Sequence, residues 1–560
     1  MPARRPGQTG RAWLIWLQAA VIVAATLWAY APVRSAGWVW DDVEEVTQNA
    51  VLRDPAGLAK IWFAPDSTDY FPLKTTVEWL EFRAWGDAPV GYHAVNVALH
   101  LLSALLCWRL FSRLGAGPGW IGGLLFAVHP LAVESVAWIS ELKNTLSLPL
   151  LLGALLAYLA FDETGSRRAY AWSLAAFLLA LLAKTSVAMA PAVLLLHAWW
   201  RRGRITRRDL AVASPFLGLS LVLGAVTVWF QDHRAIMAGH EFAGGPATRF
   251  LGAGRAIAFY LGRSLWPAGL APIYPRWNLA AAPLAGLWPW LALAIVVAIG
   301  WRRRATWGRH LLLGLGFFVF ALLPILGFVG MSYLRMARVA DHFAYVSLVG
   351  VIGLVVAGFS ALPRAAWVAL AGAAAVLALQ TRAYVGVFHD EETLWTYTLA
   401  HNPEAWAAHN NLGYALFQDG RVPEAIFHYR EALRLEPEFA EARYNLGTAL
   451  LREGQVGAAI VEYEEALRLK PASAEVENNL ASALAQTGRL PEALAHFQHA
   501  VRVEPDYADG HHNLGNALLL SGRPAEAIVE YQRALRLRPD DQAAKSGIEM
   551  AARALQSRRP

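Results

Sequence analysis

From residue 12 to residue 382 the chain keeps returning to apolar runs close to the ~20 residues that carry a helix across ~30 Å of hydrocarbon. In that setting each run has to satisfy its own backbone amides, which a helix does. With 56% hydrophobic residues, 16% charged residues and 24 tryptophans among 560, the composition excludes an ordinary soluble globule. Beyond residue 383 the sequence becomes charged, Ala/Leu-rich and helical in pattern. The expected architecture is all-α: a polytopic membrane domain over 1–383, a connecting helix within 384–405, and a soluble array over 406–555.

The basic residues sort the loops. Arg4, Arg5 and Arg11 precede the first run, which lacks a convincing cleavage site and reads as a span with its N-terminus inside. "WWRRGRITRRDL" at 199–210 and "WRRRATWGR" at 301–309 mark the cytoplasmic side, with Arg113, Arg167, Arg168 and Arg364 in agreement. Eleven spans satisfy these marks: 12–31, 92–112, 119–138, 143–161, 168–184, 185–201, 211–230, 284–300, 309–329, 342–361 and 363–382. Arg255 and Arg263 argue against a further span at 250–266, which reads as an interfacial helix on the outer face. The net charge of +6 then reflects topology and not nucleic acid. Cys107, the lone cysteine, lies in an apolar span and has no partner for an intrachain disulfide. The Ala/Arg-rich style suits a bacterial inner-membrane protein whose tail is periplasmic.

The tail repeats. Pro403, Pro437, Pro471, Pro505 and Pro539 recur at a step of 34 residues, and "NNLGYAL", "YNLGTAL", "NNLASAL" and "HNLGNAL" follow the same step. That period is the signature of tetratricopeptide repeats, antiparallel helix pairs stacked into a superhelix. Ala425, Ala459, Ala493 and Ala527 allow close helix approach, and Tyr429, Tyr463, Phe497 and Tyr531 fill the space. Asn411, Asn445, Asn479 and Asn513 recur at the same step, so they are candidates for a ladder that holds an extended polypeptide by its backbone. In this the array resembles the repeats of the soluble O-linked N-acetylglucosamine transferase. The alternative is that each asparagine bonds within its own repeat.

Four stretches share the expected outer face: 32–91, 139–143, 231–283 and 330–342. The first carries "GWVWDDVEEV" at 37–46, where Asp41 and Asp42 stand beside tryptophans at a membrane surface. Carboxylates there need a partner or a use. Outside the cytosol, ATP and nucleotide sugars are excluded as direct fuel, which leaves lipid-carried donors. Sugar transfer from a polyprenyl phosphate to a hydroxyl needs a carboxylate to take the hydroxyl proton and cations to hold the departing phosphate. Lys143, Arg255, Arg263, Arg276, Arg335 and Arg338 are the candidate cations; an interfacial arginine otherwise only snorkels. For the Asp pair the bland reading is a helix N-cap. Paired carboxylates suit a divalent cation, yet no third acidic residue is placed to complete a site, so no metal is expected to be required.

"WVWDDVEEVTQNAVLRD", "LLFAVHPLAVESVAWISELKNTLS" at 124–147, "LWPAGLAPIYP" at 265–275 and "RVADHFAYVSLVG" at 338–350, followed by the repeats, together resemble one family. It is the transmembrane-and-tetratricopeptide-repeat protein O-mannosyltransferases and their bacterial relatives, of the GT-C glycosyltransferase superfamily. The resemblance implies a GT-C-type membrane domain and inverting transfer of mannose or another hexose from a polyprenyl-phosphate donor to Ser or Thr. It implies Asp41 as general base, Asp42 as its support, and Glu134 as a further carboxylate of the site. It also brings His129, Glu141 and Lys143 to the second outer turn, His129 equally suited to packing a helix kink at Pro130. The chain departs from the pattern at Ala132, where relatives have a second histidine, and at His342 and Phe343, where they have Arg and Tyr. His342 would then meet the donor phosphate as a pH-dependent cation.

Two further functions compete. One is a catalytically silent anchor displaying a scaffold for envelope assembly. The other is an O-oligosaccharyltransferase that recruits His233 or His240 from the loop 231–283. A transporter is disfavoured, since no paired internal repeat stands out.

Overall fold

The computed structural model describes residues 9–64, 69–235, 244–279, 283–363 and 366–557; Arg4, Arg5, His240 and Arg364 lie outside them. The described residues are helical and contain no strand. The chain divides into two compact units, Met1–Asn402 and Pro403–Pro560, so the helix Glu391–His401 belongs to the first.

Among the described residues of the first unit six helices are long and apolar enough to cross a membrane: Pro89–Leu114, Ile139–Thr164, Arg207–His233, Leu284–Arg302, Gly308–Ile325 and Ala366–Phe388. A seventh arises if Gly119–Ala127 and Pro130–Ala137 are one span bent by 56°. Eleven full spans are therefore not what the structure supports. The expected span 12–31 holds the shorter apolar helix Trp13–Ala29, and 168–184, 185–201 and 342–361 coincide with the helices Arg167–Ala183, Ala190–Arg202 and Leu348–Ser360, of 17, 13 and 13 residues. For 185–201 and 342–361 the physical reason is local: these apolar runs include the tight turns Thr185–Met189 and Asp341–Ala344, so hydrophobic length exceeds helical length.

The bend at Pro130 is built by His129. Its Nδ1 accepts from the Leu131 amide (3.2 Å) and its Nε2 faces the Ser264 carbonyl (3.1 Å), which places the proton on Nε2. The segment expected to lie along the interface is the helix Pro246–Leu265, and it packs against the apolar helix Pro283–Arg302 through glycine. A Cβ on Gly254 would sit 2.4 Å from the Gly286 carbonyl oxygen.

Helix connectivity separates two kinds of loop. The ends of Pro89–Leu114, Leu142–Thr164 and Arg207–Phe230 near Arg113, Asp162 and Asp209 carry the arginines, with Arg201 and Arg202 paired to Asp162 (2.5 and 2.8 Å). Their other ends meet the segments that carry Asp41, Ser140 and Gln231. The loops expected on one face do meet there: Gln231 donates to Asp69, and Tyr333 to the Pro272 carbonyl.

The second unit holds four helix pairs, Trp406–Gln418 with Val422–Leu435, Ala440–Arg452 with Val456–Leu469, Ala474–Gln486 with Leu490–Val503, and Ala508–Leu520 with Pro524–Leu537, closed by Gln542–Gln556. Gly420, Gly454, Gly488 and Gly522 turn each pair with φ between 71° and 79°, a region that suits glycine. Within the pairs, Tyr429, Tyr463 and Tyr531 lie against Gly413, Gly447 and Gly515, where a Cβ would come within 2.7–2.8 Å of the ring. The third pair has Ala481 at the glycine position and the smaller Phe497 at the tyrosine position, both buried. Tyr463→Ala removes a fully buried ring, and denaturant titration of the purified protein should show a loss of about 3–5 kcal/mol in the repeat unit.

Candidate active site

The stretch that carries the acidic pair is shaped by Trp40, the one described non-glycine residue with positive φ (58°). Such a conformation costs on the order of 1–3 kcal/mol and persists where its surroundings over-determine it. Here the Trp40 ring stacks on Trp138 (4.5 Å, 11°) and meets Trp395 edge-on (5.0 Å), while its amide donates to Glu391 (2.7 Å). Glu391 also accepts from the Trp395 indole.

The two aspartates that follow have different surroundings. Asp42 is fully buried: one oxygen accepts from the Val39 amide (3.1 Å), the other from both the amide and hydroxyl of Ser140 (2.8 and 2.6 Å). It pins the first loop to the turn Ile139–Glu141. Asp41 is half-buried, and its carboxylate accepts no hydrogen bond among the described residues. Burial first, and then the Glu45 carboxylate, push Asp41 up to about 8 against the pull of Lys143. Burial likewise raises Asp42 to about 7, although the Ser140 and Val39 donors oppose it.

Around Asp41 charges alternate. Lys74 pairs with Glu45 and with Glu78 (2.8 Å). Glu141, almost wholly buried, takes Lys143 (3.0 Å) on one oxygen and Lys184 (3.5 Å) on the other. Lys143 also stands 6.0 Å over the Trp138 ring. Trp138 thus touches the Asp41 side through Trp40 and the His342 side by an edge contact of 5.8 Å. Glu134 is buried and spends both oxygens on His342, accepting its amide (2.9 Å) and facing its Nδ1 (3.0 Å). Asn144 donates to the His342 carbonyl (3.1 Å). Asp341 accepts from Tyr274 (2.7 Å) and Tyr384 (3.2 Å), and burial with the nearby Glu134 raises it well above the usual carboxylate range.

Asp41, Asp42, Lys143, Glu134 and His342 are therefore gathered around Trp138. The remaining expected cations form a second group. Arg276 donates to the Arg335 carbonyl (2.5 Å), a Cβ on Gly252 would sit 3.0 Å from the Arg338 guanidinium, and Arg255 covers Trp277 (4.5 Å). Arg263 lies over Phe259 (5.3 Å) and Tyr274 (6.0 Å), bordering Asp341. His233 bonds its own turn through the Trp229 carbonyl (2.9 Å). Sequence reasoning passed over Lys184, Lys74 and Ser140; a lone lysine closing an apolar segment was the available signal for Lys184. Among the described residues no group of three or more His, Cys, Asp or Glu could hold a metal ion.

In the repeat unit the asparagine amides of the second to fourth repeats donate across repeats, while Asn479 also accepts from its chain neighbour Asn478 (3.3 Å). Asn445 donates to Asn410 (3.0 Å), Asn479 to the Tyr444 hydroxyl (3.0 Å) and Asn513 to Asn478 (2.9 Å). Asn411 accepts from Asn410 (3.1 Å). All four ladder residues remain partly exposed.

Models of tetratricopeptide-repeat families match residues 392–429, 413–454, 440–473 and 472–540, so the tail carries these repeats. The chain is similar to "Protein O-mannosyl-transferase TMTC4" of Mus musculus, 26% identical over 73% of this chain and 65% of that protein. It is also similar to "Protein O-mannosyl-transferase TMTC1" of Homo sapiens, 26% identical over 75% of this chain and 55% of that protein. The chain thus spans between half and two-thirds of the length of these relatives, and the resemblance to the family covers about three-quarters of the chain. Among solved structures, the protein of "Crystal structure of MamA protein" is 24% identical, the match covering 28% of this chain and 85% of that one with a TM-score of 0.27.

Asp42→Ala leaves the Ser140 and Val39 amides unpaired in the interior. We expect a loss of about 3–5 kcal/mol, read as a lowered thermal midpoint of the purified protein, with Asp42→Asn milder.

Proposed function

We propose that the chain is a membrane-embedded protein glycosyltransferase that moves a hexose, mannose by analogy with the names of its relatives, from a polyprenyl phosphate to Ser or Thr hydroxyls. The observation that carries this reading is Asp41: a carboxylate without a hydrogen-bond partner, held out by a strained tryptophan, next to lysines that share a single carboxylate. An ordinary N-cap or structural aspartate resembles Asp42 instead, with each oxygen occupied.

In the reaction the acceptor hydroxyl attacks the anomeric carbon, forming the new carbon–oxygen bond as the bond to lipid phosphate breaks. Asp41 takes the hydroxyl proton. The departing phosphate meets Lys143 and Lys184, which the buried Glu141 holds in place, so cationic charge is preorganised where negative charge develops. Glu134 and Asn144 fix His342 beside Trp138, where its ring adds a polar contact to the phosphate. Inversion follows from a single displacement. Protein groups carry both the proton and the phosphate charge in this scheme, and the donor is a lipid-linked sugar reached from the membrane. The site faces the periplasm or an equivalent lumen, with the arginine-rich loops in the cytosol. The repeats gather polypeptide acceptors through Asn411, Asn445, Asn479 and Asn513, partly exposed carboxamides whose remaining donor and acceptor positions suit an extended backbone.

Open-mass glycoproteomics on cells with the intact protein, without it, and with Asp41→Asn at equal expression tests the proposal. Hexose on Ser/Thr should vanish in both altered strains, and purified Asp41→Asn should transfer ~10²–10⁴-fold more slowly. Persistence of the modification with Asp41→Asn sinks the proposal. Because Asp41 is a base only when ionised and its folded value is raised, the rate should climb with pH through about 8, not level off above the usual carboxylate range. A midpoint near the ordinary aspartate value would assign the base elsewhere. In the repeats, Asn445→Ala with Asn479→Ala should raise KM for protein acceptors while leaving transfer to a short peptide unchanged.

A further inference from the structure

We propose that the arginine-rich end of the membrane unit binds an anionic phospholipid, its acyl chains in an interior cavity and its phosphate on the turn 302–309. A cavity of about 520 Å³ lies between the helices Pro89–Leu114, Leu142–Thr164, Ala190–Arg202, Gly308–Leu322 and Leu348–Ser360. Its walls are apolar, with Leu110, Leu155, Leu194, Phe317 and Leu354 among them. The polar side chains on it are few, and two of them, Trp200 and His310, bond each other (3.1 Å). This volume is that of a site for a sizeable apolar ligand. The site is remote from Asp41 along the same helices, so it belongs to a function other than the chemistry proposed above.

The charge beside this cavity selects the occupant. Trp307 and His310 line it, and the turn leading to them carries Arg302, Arg303, Arg304 and Arg309, all exposed. The turn doubles back tightly: the Gly308 amide donates to the Arg303 carbonyl (3.1 Å), and a Cβ on Gly308 would sit 2.1 Å from the Gly300 carbonyl oxygen. None of these four arginines has an acidic partner among the described residues. Of the other arginines at this end, Arg201 and Arg202 pair with Asp162, Arg202 also with Asp209 (2.5 Å), and Arg113 with Glu163 (3.4 Å), whereas Arg204, Arg207 and Arg208 likewise have no acidic partner among the described residues and do not border the cavity. A positive loop is what topology asks for. Four cations without carboxylates, beside an apolar cavity between membrane helices, add what an anionic headgroup on two acyl chains requires. A zwitterionic lipid would fill the cavity and leave the arginines uncompensated.

Native mass spectrometry of the full-length protein in detergent tests this, with phosphatidylglycerol, phosphatidylcholine and polyprenyl phosphate offered separately and in competition. We expect roughly tenfold tighter retention of phosphatidylglycerol than of phosphatidylcholine. Gly358→Phe fills the cavity from a position where a Cβ meets nothing within 4 Å, so the fold is kept and lipid retention should be lost. Arg303→Gln with Arg309→Gln should abolish the preference for phosphatidylglycerol and leave the weak binding of phosphatidylcholine unchanged. Equal retention of the two phospholipids, unchanged retention in Gly358→Phe, or displacement of phosphatidylglycerol by polyprenyl phosphate at this cavity each overturns the proposal. Asp41→Asn should retain lipid like the intact protein, which separates this result from the fate of the catalytic reading.

Discussion

Everything near the acidic pair depends on the bond between Asp42 and Ser140. A buried carboxylate that accepts three hydrogen bonds ties a loop entering from residue 39 to a turn 98 positions later. With that tie in place Trp40 can be held in its left-handed conformation between Trp138 and Trp395, and Asp41 is left with no donor of its own. The adjacent carboxylates therefore divide their work. One supplies rigidity, and the other keeps its lone pairs available. A pair of identical residues could not be told apart by composition, only by which of them finds the turn.

Rigidity around Asp41 is electrostatic as well as steric. Glu141 holds two lysines, Glu45 and Glu78 hold a third, and Glu134 holds His342. Buried charges of this kind are weak evidence for stability, since desolvation offsets much of the attraction. They are better understood as fixing the lysines and carboxylates around Asp41 in advance, and under the function proposed above they leave little reorganisation for the moment at which phosphate charge develops.

Much of the fold was legible because it is written in periodicities. The 34-residue step and its Gly/Tyr pairs predict stacked helix pairs, and the arginine-bearing loops do fall at one end of the membrane helices. The expected count of eleven spans is not confirmed at Thr185–Met189 and Asp341–Ala344, where apolar sequence turns instead of continuing as helix. At the candidate site, loop topology together with the family motifs pointed to Asp41, Asp42 and Lys143. Ser140 and Lys184 were not legible, and neither was the commitment of Glu134 to His342, because each is defined by a partner between 43 and 208 residues away. Short-range pattern carries no trace of such pairs. The asparagine step was visible, yet its direction was not: a period says that side chains are equivalent, and only the stacking of one repeat on the next says what they touch.

That stacking gives the tail a polarity. Each asparagine amide in the second, third and fourth repeats reaches back by 35 residues to the repeat before it. A duplicated repeat inserted anywhere in the array would find an acceptor behind it and offer one ahead. The tail can therefore lengthen or shorten by whole units without redesign of its inner edge, so its length is a quantity that repeat duplication can tune while the first unit stays as it is.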